Sequence, residues 1–298
     1  MNLKTFAARV RIFFATGRVK ASPSSLKQRR AAQAGRRPDY FYLGPDVAMT
    51  RLADGKFIFV DPADESIAPH LIAHGFWEWW IHTVVCSLVK PGDHVLDVGA
   101  NVGYYSLAMA AEVGSEGFVT ALEANPALAS LTRRSLVFNG FAARSAVIAK
   151  AASDTAGRVT FTTSRKNAGG GHLHVMDSAF GEDTQTINVE AIRLDDLGLE
   201  GVRFIRIDTE GSEPKVLRGA ERLLQRPDVV VCMEWDVIQM QSRADVPEFA
   251  AWLSGQGFKF WRITYQATLE PVDYLDLPSL FACDIVMART LPEMSKAL

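Results

Sequence analysis

The sequence predicts an α/β protein built on a doubly wound, mostly parallel sheet, and three observations carry that expectation. Apolar strand-like runs alternate with helix-length segments from His94 onward, a glycine-bearing turn joins the first of these strands directly to its helix, and Pro and Gly fall where helices begin and end. At 298 residues, 48% of them hydrophobic, the chain can bury one large core with an appendage.

The appendage comes first. Residues 1–38 carry ten Lys/Arg, from Lys4 to Arg37, and no acid, although the whole chain has a net charge of only −2. Near-neutrality gives no global drive toward nucleic acid or an anionic membrane, so any such attraction must be local. Within Leu3 to Thr16, apolar Leu3, Phe6, Val10 and Phe13 alternate with Lys4, Arg9 and Arg11 at helical spacing. We read a basic tail that packs on its own domain or a partner, with peripheral membrane contact through residues 1–38 as the alternative. Residues 21–37 read as linker.

Residues 39–90 read as a hairpin and a helical cap. VAMTRL and KFIFVD flank Asp54-Gly55, a strong hairpin signal. Gly75 to Val89 has helical length and three tryptophans, and Pro91-Gly92 stops it. The catalytic domain spans 91–298. HVLDVG, Tyr104 to Val113, GFVTALEA, Pro126 to Asn139 and SAVIAKAA alternate with short connections, which predicts right-handed βαβ units; Asn125 caps the second helix, with Pro126 in its first turn. An insert, 154–200, carries short β-like pieces around Ala168-Gly169-Gly170-Gly171-His172 and is expected to shape the substrate pocket. The rhythm resumes with VRFIRID, a helix through Val216 to Leu224, VVVCMEW and a helix around Pro247 to Gln256; FKFWRIT and FACDIVMAR form an antiparallel closing pair.

Cys86, Cys232 and Cys283 are dispersed in apolar surroundings and read as reduced core thiols. With no apolar run of about 18 residues, the chain is expected to be soluble and cytoplasmic, peripheral membrane contact aside.

The turn Gly99-Ala100-Asn101-Val102-Gly103 lies where open α/β sheets bind ligands. Its spacing, G-x-x-x-G, is neither the dinucleotide nor the phosphate-loop pattern. Asp97, just before it, would repel a pyrophosphate but suits a cationic amino-acid moiety, and S-adenosylmethionine (SAM) carries an ammonium and a sulfonium. Glu123, ending the second strand, stands where an acid can accept both ribose hydroxyls.

Asp97 to Gly103, read as D-x-G-A-N-x-G, and Ile207-Asp208-Thr209-Glu210-Gly211-Ser212-Glu213 together resemble the hallmarks of the FkbM family of SAM-dependent methyltransferases. The resemblance runs from about Val47 to Ala288. It implies a Rossmann-like, class I sheet of seven strands, SAM as cofactor, and O-methylation of a sugar, glycolipid, polysaccharide or natural product. The expected cofactor residues are Glu78, Asp97, Gly99, Ala100, Asn101, Gly103, Tyr104, Glu123, Ala124, Ala152 and Asp208. Glu78 is carried by the resemblance.

Glu210 is the first choice for general base, Asp208 being the acid nearest the cofactor, and His172 in the insert is its rival, with His174 beside it. No metal is assigned, although Asp208, Glu234 and Asp236 leave a divalent cation open, and His70 and His74 read as structural. Trp77, Trp79 and Trp80 are sugar platforms or core, with core expected for at least one. A small-molecule or glycan acceptor is expected and nucleic acid is not. The rival readings are a nucleic-acid or protein methyltransferase, supported by the basic tail but lacking the Asn/Asp-Pro-Pro-aromatic motif, and a noncatalytic SAM-fold module.

Overall fold

The computed structural model describes residues 39–173 and 184–294. The amphipathic Leu3 to Thr16 segment, the whole basic extension and His174 lie outside the described residues.

A three-stranded antiparallel sheet opens the structure: β1 (Tyr40–Gly44), β2 (Val47–Arg51) and β3 (Phe57–Val60), in that order. The expected hairpin is β2–β3. The additional strand β1 escaped the sequence reading because Tyr40, Phe41, Tyr42 and Leu43 are all exposed, leaving no alternation of apolar and polar positions to detect. Two helices follow, α1 (Ala68–His74) and α2 (Trp79–Leu88).

The main sheet is assembled from β4 (His94–Val98), β5 (Phe118–Leu122), β6 (Ser145–Ile148), β11 (Val202–Ile207), β12 (Val230–Trp235), β13 (Lys259–Ile263), β14 (Leu269–Val272) and β15 (Cys283–Ala288). Its order is β14-β13-β15-β12-β11-β4-β5-β6. Strands β4, β5, β6, β11 and β12 are mutually parallel, β15 lies antiparallel between β12 and β13 so that β13 runs with the parallel strands, and β14, antiparallel to β13, is an eighth strand added at the edge of the seven-stranded arrangement.

Side chains on successive strand residues go to opposite faces, and the core divides accordingly. Val95, Val119, Phe204, Cys232 and Val286 pack on one side with α1, α2, α3 (Tyr104–Glu112) and α4 (Pro126–Phe138). Leu96, Leu122, Ile205, Val231 and Met287 pack on the other with α5 (Glu213–Arg218), α6 (Glu221–Leu224), α7 (Val237–Met240) and α8 (Val246–Gly255). Asn125 caps α4 as expected, its side chain accepting from Ala127 N–H at 3.0 Å.

Two predicted elements are divided. SAVIAKAA supplies β6 and then β7 (Ala151–Ala152), which leaves the main sheet to join β8 (Gly157–Ser164), β9 (His172–Leu173) and β10 (Thr184–Ile192) in a four-stranded sheet ordered β7-β10-β8-β9. The helix expected through Leu224 is interrupted between α5 and α6. There Gly219 lies so close to the Ser153 carbonyl that a Cβ would overlap it. No helix among the described residues is long and apolar enough to cross a membrane.

Candidate active site

Parallel strands β4 and β11 end side by side, and their in-register pairing aligns Asp97 with Arg206 on the face covered by α2 and α3. On the other side of β11, Arg206 is aligned with Cys232, and two residues further on Glu234 of β12 is aligned with Asp284 of β15. A strand period of two puts Asp208, Glu234 and Asp284 in one row at the carboxyl edge, above Arg206 and Cys232. Sequence reasoning missed Arg206 and Asp284. The signal available was charge inside two largely apolar runs, VRFIRI with Arg203 and Arg206 and CDIVMA with Asp284.

The glycine turn caps this row. Gly99 has a φ of 81°, and a Cβ there would overlap the Asp208 carbonyl oxygen and stand 2.9 Å from its carbon. Gly103 is crowded instead by Thr132 of α4, whose hydroxyl donates to Asn101 O at 2.6 Å. The two glycines are thus required by close approach of the protein to itself. Ala100, between them, is buried.

Asn101 (φ 52°), Glu78 (φ 39°) and Glu210 (φ 51°) are three of the four non-glycine residues with left-handed backbone among the described residues. Such conformations cost free energy and concentrate at functional sites. Asn101 also ties the turn to the insert, its Nδ2 donating to Ala168 O at 2.9 Å. Ala168 N–H in turn donates to Asp64 at 3.1 Å, and the same carboxylate accepts from Ser66, Ile67 and Ala68.

Asp97 has no exposed surface; its Oδ2 accepts from Ser106 Oγ at 2.5 Å, and its Oδ1 is 3.5 Å from Arg206 Nη1. Burial raises its pKa, against the opposing pull of Arg206. Arg206 Nη2 donates to Asp208 Oδ2 at 2.9 Å, and its guanidinium lies 3.8 Å from the Tyr105 ring centroid. Burial works against the Arg206 charge, but Asp208 and Asp97 more than offset it and its pKa is raised. Tyr105 donates its hydroxyl toward Glu78 Oε2 at 3.5 Å.

Glu123 is 6% exposed; Oε2 accepts from Asn101 N–H at 2.7 Å and Oε1 from Asn125 N–H at 2.8 Å. Burial pushes its carboxyl up to about 7, outweighing those two backbone bonds. Glu213, 1% exposed, accepts from Thr209 N–H and Oγ1 at 2.8 and 3.0 Å, and burial likewise pushes it up to about 7. Glu213 therefore locks the Thr209 turn internally.

Glu210 accepts from Gln239 Nε2 at 2.8 Å. Carboxylate oxygens of Asp208, Glu210 and Glu234 all lie within 4.8 Å of one another, the spacing a metal ion could use. Burial, then repulsion from Asp208, Glu210 and Glu213, holds the Glu234 pKa well above its ordinary value.

Other expected residues stand apart from this row. The Tyr104 ring packs on His82 of α2 at 5.3 Å, and its hydroxyl bonds the Trp77 backbone, so Tyr105 is the member of the pair that meets Arg206. Ala124 is buried in the core of the small sheet, and Ala152 packs beneath the strand ends with Leu122 and Ile207. His172 belongs to β9, where its backbone pairs with Thr162 and its Nδ1 meets Gly170 O at 2.9 Å; it is a strand residue, not part of an open loop. Asp236, left open by the sequence to a divalent cation with Asp208 and Glu234, is the cap of α7, accepting from Ile238 and Gln239 N–H. His70 meets Trp77 edge-to-face with ring centroids 4.9 Å apart, and Trp77 and Trp80 are half-buried against the core.

The methyltransferase FkbM domain profile matches residues 97–260, more than half of the chain. The chain belongs to the FkbM methyltransferase family. This FkbM domain is similar, at 36% identity over 74 residues, to the protein-L-isoaspartate O-methyltransferase of Ignicoccus hospitalis, and at 32% over 76 residues to protein-L-isoaspartate O-methyltransferase 1 of Archaeoglobus fulgidus. Each alignment covers 25% of this chain and 31% of the relative, so the chain spans under a third of the curated relatives it matches. Among solved structures it is similar to the FkbM methyltransferase of Methylobacillus flagellatus (14% identity, TM-score 0.44, 67% of this chain and 48% of that one). It is also similar to an O-methyltransferase of Bacillus cereus in complex with SAH (16%, TM-score 0.42, 74% and 84%).

SAM is the cofactor of the family, and the donor set fits it. The side chains gathered around the turn, Glu78, Glu123 and Asp208, are acceptor-only when ionised, the complement of a ligand offering hydroxyls and cations; Asp97, expected to meet the cofactor, has no exposed surface and faces Ser106 and Arg206 instead.

Proposed function

We propose that this FkbM domain transfers the SAM methyl group to a hydroxyl oxygen of a sugar, glycolipid, polysaccharide or natural-product acceptor. SAM supplies an electrophilic methyl on a good leaving group. The protein's own residues then have three tasks: to hold the cofactor, to align the acceptor, and to take its proton. Glu123 holds the ribose hydroxyls with the oxygen lone pairs its two backbone bonds leave over, while Asp208 and Glu78 answer the cationic end. Glu210 takes the acceptor proton. The observation that carries this reading is the cluster of Asp208, Glu210 and Glu234 oxygens within 4.8 Å, next to the glycine turn. In that cluster Glu210 stands beside Glu234, whose pKa is held well above its ordinary value by burial and by its acidic neighbours.

The same edge disfavours phosphate-rich acceptors, because carboxylates repel phosphate, and this supports a neutral or polyhydroxyl acceptor over nucleic acid. Membrane contact through residues 1–38 is a separate proposal, supported by the exposed Tyr40, Phe41, Tyr42 and Leu43 that follow the basic segment directly.

The test is methyl-labelled SAM incubated with glycan, lipid, small-molecule, RNA and protein fractions. Label in one of the first three is expected; label only in RNA or protein sinks the O-methylation reading. With that acceptor, Glu210→Gln is expected to keep SAM affinity and lose turnover by about 100-fold or more. Full activity in that variant moves the base to another residue.

A further inference from the structure

We propose that Arg206 is the positioning residue of the cofactor site and acts through Asp208. The inference rests on the SAM-binding reading above.

Among the described residues Arg206 is the only buried Lys or Arg, at 5% exposure, and it sits inside the central parallel strand β11. Burying a guanidinium there is costly unless it is paired, and an apolar side chain of similar size would serve stability as well or better. The position needs a cation for another reason, and its contacts supply one. One arm of the planar fork faces Asp97 across the β4 pairing, 3.5 Å away, and the other donates to Asp208 at 2.9 Å. Tyr105 covers the guanidinium face at 3.8 Å and fixes its plane. A lysine ammonium is a point charge on a flexible stem and cannot reproduce the two-armed, stacked geometry.

The consequence falls on Asp208, whose side chain is 35% exposed, unlike that of fully buried Asp97. Arg206 holds the Oδ2 of Asp208 inward, so the rest of that carboxylate is presented at the edge in one orientation, beside the turn at Gly99. It also stands between two carboxylates on adjacent strands that would otherwise repel each other. Asp97 is thus an inner anchor of the fork, and Asp208 is the group delivered to the ligand.

The experiment is calorimetric titration of the full chain with SAM and with S-adenosylhomocysteine, which lacks the sulfonium charge. The proteins are wild type, Arg206→Met, Arg206→Lys, Asp208→Asn and the double variants at 206 and 208. The expected result is about a tenfold or greater loss of SAM affinity in Arg206→Met. Arg206→Lys loses less, the loss is smaller for S-adenosylhomocysteine, and substitution at 206 has little further effect once Asp208 is Asn. If Arg206→Met does not fold, Arg206→Lys with and without Asp208→Asn gives the same non-additivity readout. A lower unfolding midpoint with unchanged affinities, or losses at 206 and 208 that multiply in the double variant, overturns the inference and leaves Arg206 structural. Wild type binding neither ligand overturns instead the cofactor reading on which it rests.

Discussion

Replacing Gly99 by Ala tests whether the glycine turn is required by the protein's own packing. The added Cβ is penalised twice. At a φ of 81° an L-residue costs roughly 1–2 kcal/mol relative to Gly. The methyl also overlaps the Asp208 carbonyl oxygen, and neither partner is a flexible side-chain end that can move aside. Relief requires β4 and β11 to separate at their carboxyl ends, where Asp208 N–H donates to Val98 O at 2.9 Å, and overpacking of this kind costs about 1–3 kcal/mol. The expected total is about 2–5 kcal/mol. Gly92→Ala is the control, since its φ is 87° and nothing lies within 4 Å of its Cβ position, so it isolates the backbone strain at about 1–2 kcal/mol. Urea unfolding followed by tryptophan fluorescence reads both as shifts of midpoint at constant slope. Equal losses in the two variants would refute the packing argument and return Gly99 to the ligand.

Glu123 and Glu213 both have folded pKa values of about 7 against 4.5 for an ordinary glutamate. A carboxyl raised on folding stabilises the folded state in its protonated form, so each contribution is complete below pH 4.5 and is lost as pH rises to about 7, by about 3 kcal/mol apiece at most. Wild-type stability is therefore expected to fall from pH 5 to 7.5 more steeply than that of Glu123→Gln; matching slopes in urea titrations across that window reject the assignment. Asp64→Ala removes the acceptor joining residues 66–68 to Ala168 and is expected to cost about 2–4 kcal/mol. It should also speed proteolysis within 154–200, and an insert cleaved no faster than in wild type counts against Asp64 as its tether.

Reading along the chain was enough for the parallel core, because the information needed there is local. Apolar runs of strand length, Asn125 with Pro126 at a helix start, and Asp54-Gly55 between two β-like runs each act through neighbours in sequence. The D-x-G-A-N-x-G and I-D-x-E-G-x-E segments carried the family for the same reason. Where local pattern was absent or outvoted, the reading failed: β1 exposes four successive large side chains, β7 leaves its sheet after Lys150, and the α5–α6 break answers to Ser153, 66 residues away in the chain. Asp236 carried a cap signal but was grouped with Asp208 and Glu234 as open to a divalent cation.

Local sequence thus decided that Asp97, Glu123, Asp208 and Glu210 stand at strand ends or the turns after them. Only the tertiary structure decided what each can touch. In-register pairing of β4, β11, β12 and β15 is what sets Asp97 beside Arg206 and Asp208 in a row with Glu234 and Asp284, and no spacing along the chain encodes it. Burial then separated the acids by environment, turning Asp97 and Glu213 inward and leaving Asp208 at the edge, because the cost of hiding a carboxylate depends on donors contributed by distant segments.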